Sequence, residues 1–156
     1  MLALLSLTTC IGAGLIGGIF LAFSAFVMRA LAELPAAQGI TAMQRINVVV
    51  LNPVFLGVFI GTALLGVLCI TVALFAWETA RSTLLLTAGL SYVAGCFGVT
   101  IAFNVPRNER LARLNAEAPE ASAYWTVYVR EWTFWNHVRT LASTVSAACA
   151  AGTLAL

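Results

Sequence analysis

Four apolar runs, each long enough to cross a lipid bilayer, dominate this chain; they cover residues 2–28, 53–77, 82–103 and 133–156. A helix needs roughly 20 apolar residues to span a hydrocarbon core about 30 Å thick. In lipid the backbone amides can bond only to one another, so runs of this kind are helices. The expected fold is all-α. It is an integral membrane four-helix bundle, one domain over residues 1–156, with the lipid bilayer as its main partner.

Composition agrees with that reading. The chain is 62% hydrophobic and 9% charged, whereas a soluble domain is about a quarter charged. Eight arginines face six glutamates, for a net charge of +2. Nucleic-acid binding needs a clustered basic face, so no nucleic-acid partner is expected. The first run lacks a basic leader and exceeds the ~7–15 apolar residues of a signal peptide, so it is read as a span. Cys10, Cys69, Cys96 and Cys149 fall one to a run with no CxxC pair, the pattern of small residues in helix packing. His137 is the single histidine, so no metal site is expected, and a haem held by two histidines would need a dimer. Gly14 and Gly18, and Gly57 and Gly61, lie four apart and are expected at helix–helix contacts.

The connections differ. The second link is short and holds Arg81. The first contains Pro35 and Gly39, then ITAMQRINVVVLN, which reads as a short helix ahead of Pro53. The third is longest, with Pro106 near its start, where a lost amide donor should end or kink the third span. The carbonyl of Ala102 would then need a partner, with Asn104 or Arg139 as candidates. Arg107, Arg110 and Arg113 alternate with Leu111 and Leu114 in that link, as in an amphipathic helix on an anionic leaflet. Six arginines lie in links one and three against one in link two. The positive-inside rule therefore puts links one and three in the cytoplasm and both termini outside, in a bacterial inner membrane.

The last run keeps a guanidinium. On a helical wheel centred on Trp132, the side chains of Trp125, Tyr128, Trp135, Asn136 and Arg139 fall within one stripe. Ser143 and Ser146 continue the stripe, while His137 points well away from it. Tryptophans also form belts at membrane interfaces, but here they share a direction with Asn136 and Arg139. Polar groups at that depth face the bundle interior. Gln44 and Asn47, three apart, and Thr100, Asn104 and Asn108, four apart, belong to the same membrane level. Asn52 is placed to cap the second span. Together these residues predict one polar, aromatic-walled pocket near the inner leaflet.

NVPRN, holding Asn104, Pro106 and Asn108, and WTFWNHVRT, from Trp132 to Thr140, resemble motifs of the anthrone oxygenase-like family of small four-helix membrane proteins. Met43, Gln44 and Asn47, then Asn52 and Pro53, fit the same pattern. The resemblance implies oxidation of an anthrone- or quinol-like aromatic by O₂ without metal or flavin. On that reading Arg139 and Asn136 stabilise an oxyanion, with His137 a weak candidate base and Glu109 and Glu131 alternatives. Trp125, Trp132, Trp135, Asn104, Asn108, Gln44 and Asn47 bind the small lipophilic substrate. A second reading, of another class, is a non-catalytic protein that binds quinone or lipid. Such a protein would act as a homo-oligomer or as an accessory subunit of a larger complex. Haem or a bound quinone stays open as a cofactor.

Overall fold

In the computed structural model, which describes residues 2–76 and 78–156, every apolar run is helical and no strand occurs among the described residues. The described residues form five helices: α1 (Leu2–Glu33), α2 (Ala36–Val49), α3 (Pro53–Phe75), α4 (Thr79–Ala112) and α5 (Pro119–Gly152). Trp77, the expected end of the second run, lies outside the described residues. The fold is all-α and of membrane type. Helices α1, α3 and α4 are long and apolar enough to cross a membrane. Helix α5 has 34 residues, about 51 Å at 1.5 Å per residue. The fourth expected span, residues 133–156, is not among the helices apolar enough to cross, because α5 carries Asn136, His137 and Arg139 within that run.

The four long helices pack side by side in a ring, α1 against α3 and α5, and α4 against α3 and α5. Neighbours run antiparallel. Ser24 meets Thr140 at 3.2 Å, and Ser6 accepts from Thr153 at 2.6 Å just past the end of α5. Helix α2 caps the end of the ring where α1 stops and α3 begins. Asn52 starts α3 as expected, its Oδ1 accepting from the amides of Val54 and Phe55.

Close packing uses different glycines from the pairs read off the sequence. Gly14, Gly18, Gly57 and Gly61 have open space where a side chain would go. The contacts are at Gly12 against Thr62, at Gly89 against the Gly66 carbonyl, and at Gly95, where an added Cβ would stand 2.7 Å from Ala142. Two positions along a helix is a turn of about 200°, so Gly12 and Gly14 face opposite ways.

The third run also departs from expectation. Helix α4 does not end at Phe103 but continues through Pro106 to Ala112. Its turns are widened to π-helix over Ser91–Gly98 and again over Thr100–Asn104. The amide of Val105 reaches back to the Thr100 carbonyl, and Arg107 Nη1 donates to the Phe103 carbonyl at 2.7 Å. The bonding register has shifted just ahead of the proline, so the missing donor is passed without a break. Asn104 and Arg139 bond elsewhere and neither serves the Ala102 carbonyl. In an α-helix a four-residue spacing drifts about 40° per step. The wider turns oppose that drift and keep Thr100, Asn104 and Asn108 all bonded to α5.

The helix expected at the leaflet surface is this end of α4. Leu111 is fully buried. Arg107 pairs with Glu131 of α5 at 2.8 Å, and the Arg110 guanidinium lies 4.1 Å from the centre of the Tyr124 ring. Two of the three arginines thus engage the protein itself, because the first third of α5 stands beside them.

Candidate functional site

One face of α5 is buried from Trp125 through Tyr128, Trp132, Asn136, Arg139 and Ser143 to Ser146. The side chains recur every three or four residues, the spacing of one helical face. Arg139 is 4% exposed. Its Nη2 donates to Asn136 Oδ1 at 2.7 Å and its Nη1 to Thr100 Oγ1 at 3.3 Å. The guanidinium lies 4.0 Å from the Phe20 ring centre and 5.0 Å from that of Trp132. Rings on either side supply cation–π attraction. No carboxylate pairs with Arg139 among the described residues, and its Nε has no partner. A guanidinium stays charged at neutral pH. A buried charge without a counter-charge is costly, several kcal/mol in order of magnitude.

Asn136 holds that cation in place. Its Nδ2 donates to the Phe20 carbonyl and to Ser24 Oγ, each at 2.7 Å, so its oxygen can only face Arg139. These bonds join α5 to α1 and fix the guanidinium's direction.

Arg139 opens onto a cavity of about 450 Å³, within the range of small-molecule sites. Among aliphatic side chains its walls carry a set of rings: Phe20 and Phe23 of α1, Phe55 and Phe59 of α3, and Phe97 of α4, with Trp132 of α5. Asn47 and Gln44 of α2 and Thr100, Asn108 and Glu109 of α4 supply the polar lining. Val48, Leu51, Ile60 and Ile101 line it while being exposed, so the cavity opens sideways through an apolar rim.

The residues proposed from sequence divide accordingly. Arg139, Trp132, Asn108, Asn47 and Gln44 line the cavity. Gln44 is also structural: its Nε2 donates to the carbonyls of Leu111 and Leu114, tying α2 to the end of α4. Asn104 is buried behind the wall, its Nδ2 donating to the Trp132 carbonyl at 3.2 Å. Asn136 lies behind Arg139. Trp125 stacks on Tyr128 at 5.5 Å and packs against Gly39, so it is core. Trp135, expected on the same stripe, instead turns aside to stack on Phe103 at 3.6 Å. His137 is exposed in a separate cleft with Arg29 and Arg130. Glu131 is held by Arg107, which leaves Glu109 the one carboxylate lining the cavity among the described residues. The phenylalanine walls went unread because phenylalanine in an apolar run carries no sign of which way it points.

Tyr128, in the part of α5 ahead of its apolar run, has its hydroxyl pKa raised by burial. It stays protonated and donates to Asn108 Oδ1 at 2.8 Å. Trp132 Nε1 donates to the same oxygen at 2.8 Å. No three histidine, cysteine or acidic side chains group as metal ligands among the described residues.

These features define a class: an all-α, membrane-type helical protein with an apolar cavity faced from one side by a buried, uncompensated cation. The matched family is narrower. The family model described as anthrone oxygenase matches residues 53–149, and the chain belongs to that family. The match takes in Thr100, Asn108, Trp132 and Arg139, while the α1 and α2 walls lie outside it. No curated protein and no solved structure matches the chain.

Proposed function

We propose that this protein is a membrane-embedded oxygenase that oxidises a flat, lipophilic aromatic carbon acid of the anthrone type with O₂. The observation that carries the reading is Arg139, buried, facing the cavity and lacking a counter-charge. The missing charge is the substrate's own. Loss of a proton from a ring CH₂ flanked by aryl groups and conjugated to a carbonyl gives an enolate, and its oxyanion sits at the guanidinium. Fixed donors aimed at developing charge in a dry site are typically the largest catalytic contribution. The proton goes to Glu109 at the cavity mouth. The electron-rich carbon forms a bond to O₂, the peroxide anion takes the proton back from Glu109, and the resulting hydroperoxide loses water. In total one CH₂ and one O₂ give one C=O and one H₂O. No metal or flavin is required by this balance. Phe20, Phe59, Phe97 and Trp132 contact the rings, and the apolar rim admits both substrate and O₂ from the lipid. The cavity end is the cytoplasmic side, as the arginines of the first and third links suggest.

A second reading is a non-catalytic quinone-binding protein. It is favoured by the exposure of Glu109, which leaves no buried base beside Arg139 among the described residues. One experiment separates the two. The protein is purified in detergent and O₂ uptake is measured with an anthrone, beside Arg139→Ala and Arg81→Ala. Turnover that is lost in the first variant and kept in the second supports the oxygenase. Equal rates in all three proteins overturn it, and a quinone spectrum in the purified protein would then favour the second reading.

A further inference from the structure

We propose that Asn108 is a second oxygen-recognition point, whose amide nitrogen takes an oxygen on the far edge of a ligand already held at Arg139. The cavity on this view holds fused aromatics oxygenated on two edges more tightly than those oxygenated on one, so the diketone product of the proposed reaction binds tighter than its anthrone substrate. The inference rests on the proposed function only for the aromatic class of the ligand.

The Asn108 amide has one fixed direction. An asparagine side chain can be turned end for end, and only its partners settle which end is which. For Asn108 they do. Indole Nε1 is a donor and never an acceptor, so the atom 2.8 Å from Trp132 Nε1 is an oxygen. The Tyr128 hydroxyl donates to that same oxygen. With both lone pairs engaged, the amide nitrogen is the end that remains. It makes no hydrogen bond to the described residues, and Asn108 lines the cavity. A donor anchored at its back by two rigid aromatic side chains has little freedom left to lose on binding, which is how preorganised sites gain affinity.

Two further atoms point the same way. Asn47 Nδ2 is enclosed and unpartnered, and so is Arg139 Nε; both residues line this cavity. Buried donors in native proteins are nearly always satisfied, so unpartnered ones on a cavity wall ask for acceptor oxygens. The spacing comes from Trp132. Arg139 stands over its ring face at 5.0 Å, and Asn108 stands at its N–H edge at 2.8 Å. One indole therefore separates the two points. A flat ligand lying along the indole meets Arg139 with one edge and Asn108 with the other.

Binding without turnover tests this. Quenching of tryptophan fluorescence in detergent micelles is measured with three flat three-ring probes: 9,10-anthraquinone, with oxygens on two edges, 9-fluorenone, with one, and anthracene, with none. The wild-type protein should bind anthraquinone about tenfold tighter than fluorenone, the usual scale of one added hydrogen bond. Asn108→Asp keeps the acceptor for Tyr128 and Trp132 but replaces the donor by an anionic oxygen. It should lose that preference while its anthracene affinity stays within about twofold, a change well below the cost of a lost hydrogen bond. Equal affinity of the wild type for anthraquinone and fluorenone overturns the proposal, and this arm does not depend on a variant that folds. An Asn108→Asp protein that keeps its preference overturns it as well. O₂ uptake does not enter these measurements, so their failure leaves the oxygenase reading standing, and the reverse holds.

Discussion

Arg139 and Asn136, one turn apart on α5, are joined by a 2.7 Å bond from guanidinium to amide oxygen, with the amide nitrogen clamped to the Phe20 carbonyl. The pair gives the cation a direction without giving it a counter-charge. Asn136→Asp supplies that counter-charge in place. The carboxylate still accepts from Arg139 and can accept from the Ser24 hydroxyl, though it gives up the bond to the Phe20 carbonyl; the site is now internally neutral and attracts an oxyanion less. Anthrone-dependent O₂ uptake should fall about 10²-fold, the scale of losing one oxyanion donor. Uptake at the wild-type rate would mean that the cation plays no part as the substrate's counter-ion.

Replacing the cation separates function from stability. In Arg139→Met a long apolar side chain fills the same path between Phe20 and Trp132. The desolvation cost of an unpaired buried charge disappears, and exchanges of this kind are often neutral or stabilising. Two acceptors lose a donor, Asn136 Oδ1 and Thr100 Oγ1; the hydroxyl keeps its bond to the Cys96 carbonyl, and the amide oxygen is worth about 1–3 kcal/mol when left unsatisfied. The thermal unfolding midpoint in detergent should therefore stay within about 5 °C of wild type, since 1 kcal/mol is about 2–4 °C at this size. Activity should be lost at the same time. A collapse in the midpoint would show Arg139 to be a structural residue.

The glycines make a prediction about packing. Gly89→Ala would drive a Cβ into the Gly66 carbonyl and the Ile70 side chain, between α3 and α4. Overpacking at a rigid backbone contact costs about 1–3 kcal/mol. Gly61→Ala meets nothing within 4 Å and should stabilise by about 0.5–1 kcal/mol, the ordinary advantage of alanine in a helix. Unfolding midpoints of the two variants should shift in opposite directions. Shifts of one sign would refute the assigned helix faces.

Those glycines also mark how far the sequence could be read. The α5 stripe was legible because polar side chains in an apolar run recur at helical spacing, and lipid forbids them the outer face. Asn136, Arg139, Ser143 and Ser146 are buried accordingly. Glycines four apart carry no such constraint, since an empty position fits lipid or a neighbouring helix equally well. The extension of α4 through Pro106 was hidden for another reason: a shift to wider turns leaves no residue signature, and proline alone reads as a stop. Trp125 and Trp135 shared the predicted direction, yet one fills the core and the other stacks on Phe103. A helical wheel gives an angle but not what is already standing there.

The proton acceptor gives the last prediction. His137 has the intrinsic chemistry of a base, but it faces a cleft on another side of α5. Glu131 Oε2 is held at 3.0 and 2.8 Å by Arg107, and Glu131 does not line the cavity. Glu109 lines the cavity and has no ion-pair partner among the described residues. A proton leaving a substrate carbon near the mouth has no other carboxylate to meet there. Glu109→Gln should lower O₂ uptake with an anthrone by about 10²–10⁴-fold, the usual contribution of a positioned base. Part of the rate should return on adding formate or acetate, small carboxylates able to enter through the mouth. His137→Gln should stay within about twofold of wild type, because general-base catalysis needs hydrogen-bond reach of the proton. The reverse pattern, with His137→Gln inactive and Glu109→Gln active, would move the base to the other cleft and separate it from Arg139.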